Sequence, residues 1–296
     1  MHQENTSAYT VVIPTLNAEN TIGTLLNALL QQTVKPEEIM VVDSQSEDRT
    51  AAVAREAGAT VHVIDRAAFD HGGTRDWALR QTRTPFVVFM TQDALPQDQA
   101  SLENLLSPMK EEPRIAAVSG RQIAYPVSTR YEQLVRAHNY PPESRVWGKA
   151  QIRQLGVRAF LLSDVFAAYR KSAYLAAGGF DHPILTNEDM LMTQKLLDSG
   201  FLVAYAADAC VYHSHDFTWM QQYRRNYIVG QTLQRYQARF QGVQEYGEGK
   251  KLAMSVFKTL LRERRILDCI RFAADCSARL LGNRMGRNAE KRKAMP

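Results

Sequence analysis

The chain has 296 residues, 45% hydrophobic and 23% charged, enough apolar content to bury a sizeable core, which excludes a disordered chain and a disulfide-stapled miniprotein. The net charge of +5 is unevenly placed: residues 250 to 296 carry 13 basic and 4 acidic side chains, or +9, which leaves −4 for the first 249 residues. An acidic body with a basic end argues against a polyanion-binding fold, and so against nucleic acid as a partner.

In chain order, the polar stretch from Met1 to Tyr9 lacks the apolar region a signal peptide needs, and no later run approaches the roughly 18 uninterrupted apolar residues of a membrane span. Short apolar runs at Tyr9 to Ile13, Ile39 to Val42, Thr60 to Ile64, Phe86 to Met90 and Ile115 to Val118 predict strands. Between them, Asn20 to Gln32, Asp48 to Ala57, Gly73 to Gln81 and Asp98 to Met109 predict helices, with apolar residues three and four apart, as in Ile22, Leu25, Leu26, Leu29 and Leu30. This alternation predicts βαβ units and an α/β fold with a largely parallel sheet covered on both faces.

Pro126, Pro141, Pro142 and Gly156 predict an irregular insertion from Ile123 to Arg158. Order resumes at Ala159 to Arg170. Helices follow at Lys171 to Ala177 and Glu188 to Ser199, strands at Phe201 to Tyr205 and Ala209 to His213, and a longer helix from Trp219 to about Gln241. After a glycine-rich break, Gly242 to Gly249, apolar and basic residues alternate as amphipathic helices that either pack on the body or lie on an anionic membrane surface. The division expected is a domain over 1–240, its halves about 9–120 and 121–240, and a basic helical tail over 250–296. Cys210, Cys269 and Cys276 form no C-x-x-C pair and leave an odd thiol, which favours a reducing, cytoplasmic setting, soluble or peripheral to the membrane.

In such sheets ligands sit beyond the carboxyl ends of the strands, and polar residues gather there. Pro14-Thr15-Leu16-Asn17, Asp43-Ser44-Gln45-Ser46, Asp65-Arg66 and Thr91-Gln92-Asp93 each follow an apolar run. Asp43 suits the hydroxyls of a ribose or the N–H of a base. Asp93 suits a hard divalent cation, and His213 at another strand end is a candidate second ligand. His71-Gly72-Gly73-Thr74-Arg75 opens a helix, either as a phosphate-approaching turn or as a loop that needs glycine. Asp164 stands among apolar neighbours, Glu188 and Asp189 open a helix, and Arg224-Arg225 lie past His213 as a phosphate clamp or a solvated face.

The ordered set Val-Ile-Pro-Thr-Leu-Asn at Val12 to Asn17, Val-Val-Asp-Ser at Val41 to Ser44, Phe-Asp-His-Gly-Gly-Thr-Arg at Phe69 to Arg75, Thr-Gln-Asp-Ala at Thr91 to Ala94, Gly-Gly-Phe-Asp at Gly178 to Asp181, Glu188-Asp189 and Tyr212-His213 resembles the family 2 glycosyltransferases of GT-A fold, and within them a rhamnosyltransferase-like branch. The resemblance spans about Tyr9 to Arg239 and implies an inverting transferase using a nucleotide-activated sugar and Mn²⁺ or Mg²⁺. It implies that Pro14, Thr15, Asn17, Asp43, Ser44, Arg75, Gln92 and Arg224, with Arg225 beside it, bind the donor. Asp93 and His213 would hold the metal, Asp189 would be the general base, and Asp164 and Glu188 would face the acceptor.

Thr91 stands where the family's Asp-x-Asp motif has its first Asp, which removes one charge. Asp76 stands where an Asn is expected. The Thr-Gln-Asp-Ala form and the run at Phe69 to Arg75 point to dTDP-L-rhamnose as donor, with a cell-surface glycan or a lipid-linked molecule as acceptor. The alternatives are a UDP-hexose or UDP-HexNAc transferase of the same fold, and a non-catalytic nucleotide-sugar-binding protein.

Overall fold

The computed structural model describes residues 8–243 and 248–293. Most of the N-terminal polar stretch and the core of the expected glycine-rich break, 244–247, lie outside the described residues. The first half runs β1 (Tyr9–Thr15), α1 (Glu19–Leu30), β2 (Glu38–Asp43), α2 (Thr50–Glu56), β3 (Thr60–Val63), α3 (His71–Gln81), β4 (Phe86–Met90), β5 (Leu95–Pro96), α4 (Ser101–Glu111) and β6 (Ile115–Ile123). The second continues with α5 (Arg130–Asn139), β7 (Arg145–Trp147), α6 (Ile152–Leu155), β8 (Phe166–Arg170), α7 (Lys171–Ala176), α8 (Glu188–Asp198), β9 (Leu202–Tyr212), α9 (Trp219–Arg235), α10 (Glu248–Arg262) and α11 (Ile266–Lys293).

One sheet takes the order β3-β2-β1-β4-β8-β6-β9-β5, with β7 also paired to β9. The β1–β2, β1–β4, β2–β3 and β6–β9 pairs are parallel, as the alternating sequence predicts. β8 enters antiparallel between β4 and β6, and β5 and β7 run antiparallel to β9, so the second half is mixed. Both faces are buried. Val11, Ile13, Val88 and Met90 pack with α1, α2 and α4 on one side, while Val12, Val87 and Phe89 pack with α3, α7 and α8 on the other.

Two local readings of the sequence change. The stretch expected to be irregular contains α5: Pro126 and Pro141 bracket this helix and do not interrupt it. Its apolar residues Tyr131, Leu134 and Val135 have helical spacing but pack against Val256, Leu260 and Phe272 of α10 and α11, away from the sheet core. The two strands expected after α8 form a single strand, β9, whose register against β6 jumps between Gly120↔Ala206 and Arg121↔Cys210. Gly120 is required there, because a Cβ would lie 2.3 Å from the Phe166 ring and 2.6 Å from the Ala209 carbonyl oxygen.

The basic tail packs on the body, with α11 lying along α9 at backbone contact. A Cβ on Gly286 would sit 1.9 Å from the Tyr227 carbonyl oxygen, one on Gly282 2.3 Å from that of Tyr223, and one on Gly230 2.2 Å from that of Asn283. Gly286→Ala is therefore expected to force the helices apart and lower stability by about 1–3 kcal/mol, read as a fall in the thermal midpoint. Gly249→Ala, where a Cβ meets nothing within 4 Å, serves as the control and is expected to leave the midpoint unchanged or raise it.

Candidate active site

Strand pairing assembles one cluster from distant sequence. β5 pairs with β9 at Leu95↔Tyr212, which sets Asp93, two residues before Leu95, beside His213, the residue after Tyr212. Oδ2 of Asp93 lies 3.5 Å from Nε2 of His213 and 3.3 Å from Nε2 of His215. The three residues present one ligand atom each, all within 4.8 Å of one another. Burial alone would raise the Asp93 carboxyl, but the hydrogen bond and charge of His213, the Thr91 hydroxyl and His215 outweigh it and hold it well below the usual carboxylate range. Burial and the neighbouring His213 push His215 down to about 4 against the pull of Asp93, so its imidazole is neutral near pH 7.

The His213 ring is held from behind. Nδ1 lies 2.9 Å from Oε1 of Gln122, an oxygen that also accepts from the Arg136 guanidinium, while Nε2 of Gln122 donates to the Ser163 hydroxyl at 3.0 Å. The Arg136 guanidinium also lies 3.3 Å from Nδ1, so that ring nitrogen is engaged on the far side and Nε2 is the one that faces Asp93. The donor set of one carboxylate and two imidazoles therefore fits a divalent metal. The Thr91 hydroxyl beside it is buried and satisfies no strict hydrogen-bond geometry, an orphan polar atom at the same spot.

A second cluster gathers around Asp189. Asn187, in the left-handed region at φ 64°, turns the chain into α8. Asp189 accepts from the Asp164 N–H at 3.3 Å and from the Met190 N–H at 2.7 Å. Burial first, then Glu188 and Asp164, raise its carboxyl well above the ordinary range, against those two backbone donors. It reaches a cavity of about 550 Å³ together with Tyr140, Trp147, Leu162, Ser163 and Tyr205. Asp164 and Glu188 are buried and take no part in that wall.

Arg75 is also buried, with Nη1 3.2 Å from Glu188 and Nε 3.7 Å from Asp164. Its guanidinium is thus committed to the carboxylates next to Asp189. The glycines before it serve packing: a Cβ on Gly72 would lie 2.1 Å from the Asp181 carbonyl oxygen, and one on Gly73 2.4 Å from the Asp70 carboxylate. Asp70 caps α3 by accepting from the Gly73 N–H at 2.9 Å.

The loops after β1, β2 and β4 meet at the same edge of the sheet. Asp43 is buried and accepts from the Thr15 hydroxyl at 3.1 Å and from the Ser46 N–H and hydroxyl at 2.9 and 2.5 Å. Ser44 is buried beside it and hydrogen-bonds through its N–H to the Thr15 carbonyl at 2.9 Å. Asn17, at φ 50°, accepts from the Glu47 N–H. Gln92 pairs both amide atoms with the Leu16 backbone, at 2.8 and 3.1 Å, so it shapes the loop that follows Pro14 and Thr15 at the end of β1. On α9, the Arg225 guanidinium sits 5.5 Å over the Phe217 ring, and Phe217 stacks on His215; Arg224 is exposed. His215, two residues past His213, is the site residue that the sequence reading passed over, although its His-x-His spacing was visible.

Residues 10–176 match the family model described as glycosyl transferase family 2. The chain is 37% identical over 223 residues to the O-antigen chain rhamnosyltransferase RfbN of Salmonella typhimurium, covering 75% of this chain and 71% of that protein. It is 35% identical over 229 residues to the O-antigen chain rhamnosyltransferase WbaN of Salmonella anatum, with the same coverage. Among solved structures, it shares its fold with the mannosyltransferase PcManGT of Pyrobaculum calidifontis, determined with GDP-Man and Mn²⁺, at a TM-score of 0.63 and 16% identity over 97% of this chain and 88% of that one. Glucosyl-3-phosphoglycerate synthase of Mycobacterium tuberculosis, determined with Mn²⁺, UDP-glucose and phosphoglyceric acid, matches at a TM-score of 0.54 and 18% identity over 82% of this chain and 84% of that one. The chain belongs to glycosyl transferase family 2 and is a glycosyltransferase of GT-A fold.

Proposed function

We propose that this glycosyltransferase moves L-rhamnose from dTDP-L-rhamnose, with inversion, onto a hydroxyl of a cell-surface glycan or lipid-linked acceptor, and that it requires Mn²⁺ or Mg²⁺. The observation that carries this reading is the linkage of two clusters through Gln122 and Ser163: a metal-ligating set at Asp93, and Asp189 on a cavity wall. The Salmonella relatives, named as rhamnosyltransferases, support the sugar. The two structural neighbours determined with Mn²⁺ and a nucleotide sugar support the metal.

Asp93 and His213 would hold the metal, which when bound would supply positive charge for the leaving diphosphate. Asp43 with Thr15, Ser44, Pro14 and Asn17 would form the nucleoside end, and Gln92 would keep that loop in place. Arg225, with Arg224 on the same helix, would add cationic charge for the diphosphate. Asp189 would take the proton of the acceptor hydroxyl as its oxygen bonds to the anomeric carbon. The bond from that carbon to the phosphate oxygen breaks, and the electron pair leaves with dTDP. Glu188 and Asp164, behind Asp189, would keep its proton affinity high, and Arg75 would hold those two carboxylates in place.

The tail supports a membrane-surface acceptor. One face of α10 and α11 is packed, yet Leu261, Ile266, Leu267 and Ile270 are exposed where the two helices meet, among Arg262, Arg264, Arg265 and Arg271. Apolar residues ringed by arginines suit an anionic lipid surface. Among the described residues no helix is long and apolar enough to cross a membrane.

Asp189→Asn is expected to retain dTDP binding by calorimetry and to lose at least about a hundredfold in dTDP release from dTDP-L-rhamnose; near-normal turnover would remove Asp189 as the base. Release of UDP from UDP-hexoses in place of dTDP would reassign the donor, and donor binding with no release in the wild type would leave a nucleotide-sugar-binding protein. Because its carboxyl is raised, Asp189 must lose its proton to act, so kcat/KM is expected to climb with pH with a midpoint above the ordinary carboxylate range. A profile already flat at pH 4.5 would contradict this.

Asp164 is pushed up to about 7, by burial first, with Glu188 adding and Arg75 opposing. Its contribution to stability is thus full below an unfolded pKa near 4 and is lost as pH rises through about 7. Relative to wild type, Asp164→Asn is expected to gain on the order of 1–3 kcal/mol between pH 5 and pH 8 in urea unfolding. For the tail, Leu267→Glu combined with Ile270→Glu is expected to abolish co-sedimentation with phosphatidylglycerol vesicles. Equal sedimentation of the wild type with neutral and anionic vesicles would refute the charge-dependent contact.

A further inference from the structure

We propose that His215 is a third protein ligand of the metal, and that the set of one carboxylate and two imidazoles tilts the site toward Mn²⁺ and away from Mg²⁺. The inference rests on the metal-dependent reading above and extends it to a residue with no other assigned role. His213 and His215 are two apart in the segment after β9, and both rings reach the same carboxylate. Both Nε2 atoms converge on one oxygen, Oδ2 of Asp93, at 3.5 and 3.3 Å. Adjacent ligand atoms about 2.1 Å from one ion stand about 3 Å apart in an octahedral shell, and the two imidazole–carboxylate distances are within about 0.5 Å of that.

Both rings are held from outside the cluster. His213 is fixed through Nδ1 by Gln122. His215 stacks on Phe217 with ring centroids 4.7 Å apart and planes at 28°, and meets His213 edge-on at 4.6 Å and 86°. Arg225 covers Phe217 at 5.5 Å, so the imidazole is backed by a ring and a guanidinium and is not loose on the surface. Thr91 supplies the remaining argument. A carboxylate at that position would be a second hard oxygen, but Thr91 brings only a neutral hydroxyl, buried beside Asp93 and outside strict hydrogen-bond geometry. His215 therefore replaces a charged oxygen with a neutral nitrogen. Mg²⁺ favours oxygen and water in a strict octahedron, whereas a first-row transition ion accepts imidazole readily.

The test uses the full chain with MnCl₂ or MgCl₂, alone and with dTDP, in wild type, His215→Gln and Asp93→Ala. Electron spin-echo modulation of bound Mn²⁺ is expected to show two imidazole nitrogens in the wild type and one in His215→Gln. Calorimetry is expected to show Mn²⁺ affinity falling about tenfold or more in His215→Gln, with Mg²⁺ affinity nearly unchanged. One imidazole nitrogen in the wild type, a measurement that needs no variant, overturns the proposal, as does unchanged Mn²⁺ affinity in His215→Gln. Asp93→Ala separates the two levels. If it abolishes Mn²⁺ binding while His215→Gln does not, only the role of His215 falls; if neither substitution matters, the metal reading falls with it.

Discussion

The side-chain amide of Gln122 joins the two halves of the site. It is 2% exposed on β6, with its oxygen turned to His213 and Arg136 and its nitrogen to Ser163. The residue after Ser163 is Asp164, whose N–H holds Asp189. One planar group thus orients the His213 ring beside Asp93 and anchors the turn that presents Asp189. Arg136 sets the amide's orientation, because its guanidinium only donates and a flipped amide would turn an NH₂ against it. Two backbone features put Gln122 there: the register jump between β6 and β9, and the tight Gly120 that permits it.

Charge is arranged with the same economy. Asp164, Glu188 and Asp189 lie together with Arg75 as the buried cation among them. Three carboxylates cannot all stay ionised against one guanidinium in a site of low polarity, so protons are retained and Asp189 is held nearer to the pH at which a base is useful. Asp93, by contrast, faces two imidazoles and stays ionised. One sheet edge therefore carries a proton-retaining carboxylate and a permanently charged one, and the difference comes from their neighbours.

The parts legible in the sequence are those fixed by local pattern. The alternation of Val11, Val12 and Ile13, the helical spacing of α1, and polar loops at the strand ends were enough to place Asp43 and Asp93 at the edge that matters. Which distant residues meet was not legible, because it depends on antiparallel pairs formed by β5 and β8 that the βαβ alternation does not announce. Arg75 shows the limit clearly. A helical arginine after Gly-Gly reads equally as a phosphate arm or a solvated residue, and only the fold shows its guanidinium buried between Glu188 and Asp164. α5 was hidden for a related reason: its apolar face pairs with the tail, so no sheet-facing core pattern announced it.

The tail, which by charge alone looked like a separate element, is tied to both clusters. α11 contacts the backbone of α9, the helix that carries Arg225. α10 packs on α5, which holds Arg136, the partner of Gln122. Gly249 and Leu252 of α10 line the cavity that Asp189 reaches. It is the N-terminal end of α10 that walls the cavity, while the exposed apolar and basic corner at Leu261 to Arg271 stands at the helix's other end, roughly 14 Å or more away at 1.5 Å per residue. The +9 end and the −4 body are therefore not separable, since helices of the one support the cavity and the side-chain network of the other.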